Sequence, residues 1–260
     1  MKKTLFLFSL LFTLNSEAII PFALWRDTCE LNSKWTPQWA SVVGYWNLNG
    51  VVGASIANNE AIPAAIGAAG TAKNAGSSYA AGKVKSVVSF GSTTYITMGN
   101  PASLNGSGLS EGTVMAWVKH NGGGTQTLVG KEMSYKLQIQ DIGSGLAANF
   151  YASSDGTGWT CNAPATSTVA ANTWVHVAAT WHQTNNFQVY YNGVSQPLQY
   201  NCSMGSSGPP KNTVYNFQIS GYDTTNEIYT GLLDEVVVFN KALTAAEILA
   251  IYNKQVNCNY

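Results

Sequence analysis

NTWVHVAATWHQTNNFQVYYNG, residues 172–193, is the stretch whose reading decides the fold. Val175, Val177, Ala179 and Trp181 alternate with His176, Ala178, Thr180 and His182. A period of two marks a strand whose two faces meet different neighbours. Phe187, Val189 and Tyr191 alternate in the same way with Gln188 and Tyr190. Asn192-Gly193 ends the run, and Asn-Gly is a preferred pair where a hairpin turn needs positive φ. The run predicts strand, short loop, strand, turn.

Working outward, the same pattern recurs. GYWNLNG (44–50) reads as part of a first strand carrying Val43, Tyr45 and Leu48. Residues 84–90, 95–98, 126–131, 135–140, 146–152, 214–220 and 232–240 supply further strands between Gly-containing breaks. TVMAWVKH (113–120) is apolar on both faces, which suits a central strand in a two-sheet stack. Residues 53–82 hold 11 Ala and 5 Gly, and read as a loop with one short edge strand. Gly67, Gly70 and Gly76 argue against a helix there, each weakening it by roughly 1 kcal/mol relative to Ala. One helix is predicted, over 244–253. Thr244 and Glu247 form a capping box, and Ile248, Leu249 and Tyr252 an apolar stripe. Short strands with turn signals between them predict a sandwich.

The N-terminus has the form of a secretory signal. Lys2 and Lys3 precede the apolar run 5–14, and Ser16-Glu17-Ala18 carries small residues where a signal peptidase reads, so cleavage is expected after Ala18. The run is shorter than the about 20 residues a membrane span needs. The two lysines are compatible with a bacterial origin. Residues 19–41 are expected to be an extension packed on a domain formed by 42–260, because Trp25, Trp35 and Trp39 argue against disorder.

Removing Lys2, Lys3 and Glu17 from 13 basic and 13 acidic residues leaves 11 and 12, a net charge of −1. That balance offers no basic stripe for a nucleic acid. The signal directs Cys29, Cys161, Cys202 and Cys258 to an oxidising compartment, where disulfides are the default. Of three possible pairings, Cys161–Cys202 and Cys29–Cys258 are preferred. The first joins adjacent loops and the second ties the chain ends. No two cysteines share a short zinc-ligand spacing.

Three segments in order resemble the laminin-G-like, concanavalin A-like jelly-roll domains. AGKVKSVVSFGSTTYITMG (81–99) is similar to their "GKFGKALSFDGTNDYVTV". Residues 114–119 with 172–193 are similar to "SAWVK … NTWHHVAATY … YVNG". GLLDEVVVFNKALTAAEILAIY (231–252) is similar to "GKIDDVRIYNRALSAEEIQALY". The resemblance implies an all-β, antiparallel two-sheet jelly-roll sandwich with one short C-terminal helix. It also implies a module of secreted or surface proteins that binds glycans or proteins. Relatives often hold one structural calcium, and the resemblance aligns a recurrent ligand with Asp234, with Asn47 and Asn49 as partners. Their "FDGTNDY" acids are replaced here by Ser92, Thr93 and Thr94.

Candidate chemistry is sparse. Most glycosidases need two carboxylates flanking the bond, and no strand offers acid-x-acid. Asp234 and Glu235 are adjacent and expected on opposite faces. Glu111, Glu132, Asp141, Asp155, Asp223 and Glu227 are isolated. His120, His176 and His182 are not spaced for a metal and read as structural. No Gly-x-Ser-x-Gly elbow exists. GTQTLVGK (124–131) has five residues between its glycines and no Ser or Thr after the Lys, so it is not a phosphate loop. Two loops look like a sugar platform. One offers Tyr151, Asp155 and Trp159, fastened by Cys161 near Tyr200. The other offers Tyr222, Asp223, Asn226 and Tyr229. Stiffening by a disulfide lowers the cost of binding. The expected function is non-catalytic recognition of a glycan or cell-surface protein, as in adhesion. The alternatives are a carbohydrate-active enzyme of the same sandwich class and a structural module of a surface assembly.

Overall fold

A computed structural model describes residues 29–74, 76–185, 187–205, 208–221 and 226–258. The expected signal segment 1–18, residues 19–28 of the expected extension, Tyr222 and Asp223 lie outside the described residues. The strands are β1 (Val42–Trp46), β2 (Ser55–Ile56), β3 (Ala61–Ile62), β4 (Gly70–Lys73), β5 (Ser77–Ala81), β6 (Ser86–Phe90), β7 (Tyr95–Thr97) and β8 (Glu111–His120). There follow β9 (Gln126–Lys131), β10 (Tyr135–Asp141), β11 (Leu146–Ala152), β12 (Cys161–Pro164), β13 (Val175–His182), β14 (Gln188–Tyr191), β15 (Val194–Ser195), β16 (Phe217–Ile219) and β17 (Gly231–Phe239). Helix α1 spans Ala245–Gln255.

Among the described residues, nine strands form one sheet in the order β15-β14-β13-β8-β17-β6-β5-β2, with β1 added against β17. Eight form the other, in the order β12-β11-β10-β9-β16-β7-β4-β3. Neighbouring strands run antiparallel. This is the expected sandwich.

The 172–193 run becomes β13, β14 and the turn into β15. Asn192 (φ 51°) and Gly193 (φ 78°) both take the left-handed conformation that a two-residue hairpin favours. Val175, Val177, Ala179 and Trp181 enter the core between the sheets. There Trp181 stacks on Phe150 at 4.9 Å and on Tyr135 at 5.4 Å. Its register partner Gly112 has to lack a side chain, because a Cβ there would meet the indole at 2.1 Å. Strand β8 lies between β13 and β17 and is buried on both faces, which accounts for its unbroken apolar sequence.

The outer face of the nine-stranded sheet carries a second apolar layer. Tyr45, Met115, Ala178, Tyr190, Val237 and Phe239 lie under α1 and under the segment with Leu31, Trp35 and Trp39. The capping box forms, with the Thr244 amide donating to Glu247 at 2.8 Å and the Glu247 amide donating to the Thr244 hydroxyl. Ile248 and Ile251, three residues apart, face the sheet, whereas Leu249 of the expected stripe is exposed. Cys29–Cys258 fastens the incoming segment to the residues after α1, and Cys161–Cys202 joins β12 to the loop after β15.

Residues 53–82 depart from expectation. They form four short strands shared between both sheets, with β4 paired to β7 and β5 to β6. Burial alternates along β4 and along the first residues of β5, so small side chains satisfy the period that bulky ones usually mark. Strand β12 also went unforeseen.

Candidate functional site

The outer face of the eight-stranded sheet is polar. Paired residues on neighbouring strands share a face, and one row runs across five pairings. Thr97 pairs Gln218, Gln218 pairs Gly130, Gly130 pairs Lys136, Lys136 pairs Tyr151, and Tyr151 pairs Asn162. Their chain neighbours Phe217, Tyr135, Leu137, Phe150 and Ala163 point into the core, so this row points out. A second row carries Thr127, Gln138 and Asn149.

Lys136 is the centre of the face. Its ammonium lies 2.7 Å from Glu227 Oε2, 5.1 Å from the Tyr151 ring centroid and 5.0 Å from that of Trp159. The two rings meet edge to face at 5.7 Å. Glycine at 130 is what lets Lys136 lie close, because a Cβ there would meet Lys136 Cβ at 2.5 Å. Glu227, in left-handed conformation (φ 52°), also accepts from the Thr127 hydroxyl at 2.7 Å.

A hydrogen-bond chain fixes the amides of the face. The Ala163 backbone N–H donates to Asn149 Oδ1 at 3.0 Å, so Asn149 turns its nitrogen to Gln140 Oε1 at 2.6 Å. Gln140 Oε1 also accepts from the Tyr151 hydroxyl at 2.8 Å and from Gln138 Nε2 at 3.4 Å. The remaining Gln138 oxygen is left without a partner, as is Oε1 of Gln218; both side chains are buried. A buried unpaired acceptor costs roughly 1–3 kcal/mol. Burial holds the Tyr151 hydroxyl up to about 12, so it stays a donor.

The structure thus brings Tyr151 and Trp159 together, both half-buried. Asp155 is exposed and shapes its own loop, accepting from the amides of Thr157 at 2.8 Å and Gly158 at 3.2 Å. Those amides, Thr157 first, hold its carboxyl below the usual range. Asn226 is exposed beside Glu227 in the chain. Tyr229 corrects the expectation. It is 0% exposed, packs edge to face on Phe90 at 6.3 Å and donates its hydroxyl to Leu232 O, so it is core and cannot stack on a ligand. Tyr200 lies beside β12, hydrogen-bonded to Asn162. Lys136, Gln138, Gln140, Asn149, Gln218 and Glu227 were not foreseen. The polar residue at every second position of YKLQIQ (135–140) was the available signal.

The acids of β17 also require correction. Leu233 and Val236 both enter the core, so Asp234 and Glu235 occupy the space where alternation allows one residue. The register slips between Asp234 and Val237, and Glu235 (φ 54°) forms the bulge. Both carboxyls therefore lie on the outer side of the nine-stranded sheet, where burial first, and for Glu235 the neighbouring Asp234, pushes them well above the ordinary range. Asp234 Oδ2 accepts the amides of Lys83 at 2.9 Å and Val84 at 2.8 Å. Glu235 accepts from Tyr45 and Gln255.

Of the residues expected around calcium, Asp234 keeps Oδ1 without a hydrogen-bond partner, whereas the two asparagines are committed elsewhere. Asn47 and Asn49 turn their amide nitrogens to Glu30 Oε1 at 3.0 and 2.7 Å, and Asn49 Oδ1 accepts the Ser86 amide. Among the described residues no three His, Cys, Asp or Glu are placed to hold a metal. A separate concavity of about 350 Å³ lies at one end of the sandwich between His120, Asp141, Leu146 and Thr168. Both His120 nitrogens are engaged, with Gly122 N–H and Val169 O.

Residues 90–249 match the family model described as Concanavalin A-like lectin/glucanases superfamily. No curated protein matches the chain. Among solved structures, the binding domain of Paraclostridial Mosquitocidal Protein 1 superposes with a TM-score of 0.65 at 14% identity, over 84% of this chain and 53% of that one. Domain 4 of AbnA, an extracellular arabinanase from Geobacillus stearothermophilus in complex with arabinotriose, gives 0.55 at 17% identity, over 81% and 98%. The ligand binding domain of Botulinum neurotoxin serotype D in complex with N-acetylneuraminic acid gives 0.56 at 14% identity, over 82% and 50%. At such identities these likenesses show the fold. The chain spans about half the length of the first and third.

Proposed function

The chain belongs to the concanavalin A-like lectin/glucanases superfamily, and from that premise we propose that it is a secreted, non-catalytic module that recognises a glycan on the outer face of its eight-stranded sheet. The observation that carries this reading is the Trp159–Tyr151–Lys136 cluster, whose two rings are half-buried at the edge of that face. Aromatic rings cover the C–H face of a sugar. The Cys161–Cys202 bond stiffens the edge of this platform, and both disulfides suit an extracellular compartment. Glycan ligands in two of the similar folds point the same way, by analogy of fold.

Non-catalytic action rests on the carboxylates. Glycoside hydrolysis ordinarily takes two flanking acids. On the described part of this face Glu227 is paired with Lys136, and Asp155 accepts from the amides of its own loop. Asp234 and Glu235 are neighbours on the opposite side of the molecule, buried at 0% and 2% exposure. A glycan array tests the reading. Wild-type protein is expected to bind, and Trp159→Ala to bind roughly tenfold more weakly or worse, the scale of a buried aromatic anchor, with its melting temperature little changed. Full binding by a folded Trp159→Ala variant would remove the platform. Release of reducing sugar from any bound polysaccharide would overturn the non-catalytic assignment.

A further inference from the structure

Resting on the reading of this face as a glycan site, we infer that the ligand is an oligosaccharide chain of at least two sugar units, one held in the corner between Tyr151 and Trp159 and the next on Tyr200 at the outer edge of the sheet. The placement of the three rings carries this. Tyr151 is the register partner of Lys136, yet its hydroxyl donates at 2.8 Å to Gln140, four residues further along β10. At about 3.4 Å per residue that is about 13 Å along the strand, so the Tyr151 ring lies down along the sheet. Trp159 meets it at an interplanar angle of 67°, with ring centroids 5.7 Å apart. One ring is a floor and the other a wall, and both keep part of their surface open. Such a corner takes a single sugar, because the two rings do not continue one another as a flat strip.

Tyr200 stands outside that corner and is 51% exposed. Its segment runs along the side of β12 away from β11, with the Gln199 amide donating to Pro164 O at 2.9 Å and Leu198 bridged to Ala165. Its hydroxyl donates to Asn162 Oδ1, and Asn162 is the register partner of Tyr151. The order across the sheet is therefore Lys136, Tyr151, Asn162, Tyr200. Neighbouring strands lie about 4.8 Å apart, so the segment of Tyr200 is about 10 Å from the strand of Tyr151. That is too far to share the sugar in the corner and suits the next unit of a chain. Asn162, half-buried between them, spends its oxygen on Tyr200 and keeps its amide nitrogen as a donor at the junction.

One covalent bond sets the spacing. Cys161 follows Trp159 by two residues, Cys202 follows Tyr200 by two, and the two cysteines are joined. Both rings are thus held in place before a ligand arrives, and preorganisation lowers the cost of binding. A monosaccharide would use the corner alone and leave the Tyr200 ring in water. A chain covers both.

The test is calorimetry of the full chain with gluco-, xylo-, manno- and arabino-oligosaccharides, from monosaccharide to hexasaccharide, using wild type, Trp159→Ala and Tyr200→Ala. For a series that binds, wild-type affinity is expected to rise roughly tenfold or more from mono- to trisaccharide. Tyr200→Ala, at an exposed position, is expected to keep its melting temperature, to hold the monosaccharide affinity within about twofold, and to lose the roughly tenfold gain. Trp159→Ala is expected to weaken every length. Equal wild-type affinity for mono- and trisaccharide would overturn the inference and leave the glycan module standing. So would a folded Tyr200→Ala variant that keeps the full gain, or one that binds all lengths equally more weakly, which would put Tyr200 in the corner. Failure of wild type to bind any of these series, or any glycan on an array, would remove the underlying reading, and this inference with it.

Discussion

The two sheets of this protein share one core but turn opposite characters outward. Outside the nine-stranded sheet lies an apolar layer, covered by α1 and by the segment around Leu31 that Cys29–Cys258 ties down. Outside the eight-stranded sheet lies a polar layer with a paired lysine, clustered aromatic rings and two acceptors lacking partners. The first face has been used for stability. The second is polar, and although Lys136, Gln138, Asn149 and Gln218 are buried in it, Tyr151 and Trp159 keep part of their rings at the surface.

The comparison breaks most readily on the covered side. Phe239 is fully buried under α1, and Phe239→Ala is expected to cost about 3–5 kcal/mol in urea unfolding while leaving glycan affinity per folded molecule unchanged. A loss below about 1 kcal/mol would show that the apolar cover contributes little. Acid tests the same side. His176 lies between Trp117 at 5.3 Å and Tyr252 at 6.3 Å, with the Lys83 ammonium over the Trp117 ring, and burial pushes its pKa down to about 3. The unfolded chain, with a pKa of about 6.5, takes up the proton first. Stability present above that pH is lost as pH falls from there toward 3, at up to about 1.4 kcal/mol per pH unit. Unfolding followed from pH 7 to pH 5 should show this slope as the difference between wild type and His176→Phe, because the raised carboxyls of Asp234 and Glu235 act in the opposite direction in both proteins and cancel.

The smallest effect belongs to the polar side. Gln138→Met removes a buried acceptor that has no partner, at similar volume, and is expected to raise stability by about 1 kcal/mol in urea unfolding. A variant less stable than wild type would show that this oxygen is satisfied in the folded protein.

Much of the fold was legible in local sequence. Alternation in 172–193 marked the strands and the Asn-Gly turn, the double-sided apolar run marked β8 as central, and Thr244 with Glu247 marked the helix start. These signals act between residues near one another in the chain. Where side chains are small, as in 53–82, the period was present in burial but too weak to read. Tyr229 and Trp159 have similar local sequence surroundings, each an aromatic in a polar loop. Phe90, distant in sequence, draws one into the core, whereas Lys136 holds the other at the surface.

What the sequence determined by itself is the scaffold: alternating strands, turn residues, a capped helix and four cysteines whose oxidised pairing follows once the loops are adjacent. Tertiary structure alone decided the site. The row Gln218, Gly130, Lys136, Tyr151 joins four strands, β16, β9, β10 and β11. The bulge at Glu235 moved a carboxylate to a face that strict alternation denies it. Strand register and bulges are set by cross-strand hydrogen bonds between distant segments, so no window of sequence contains them.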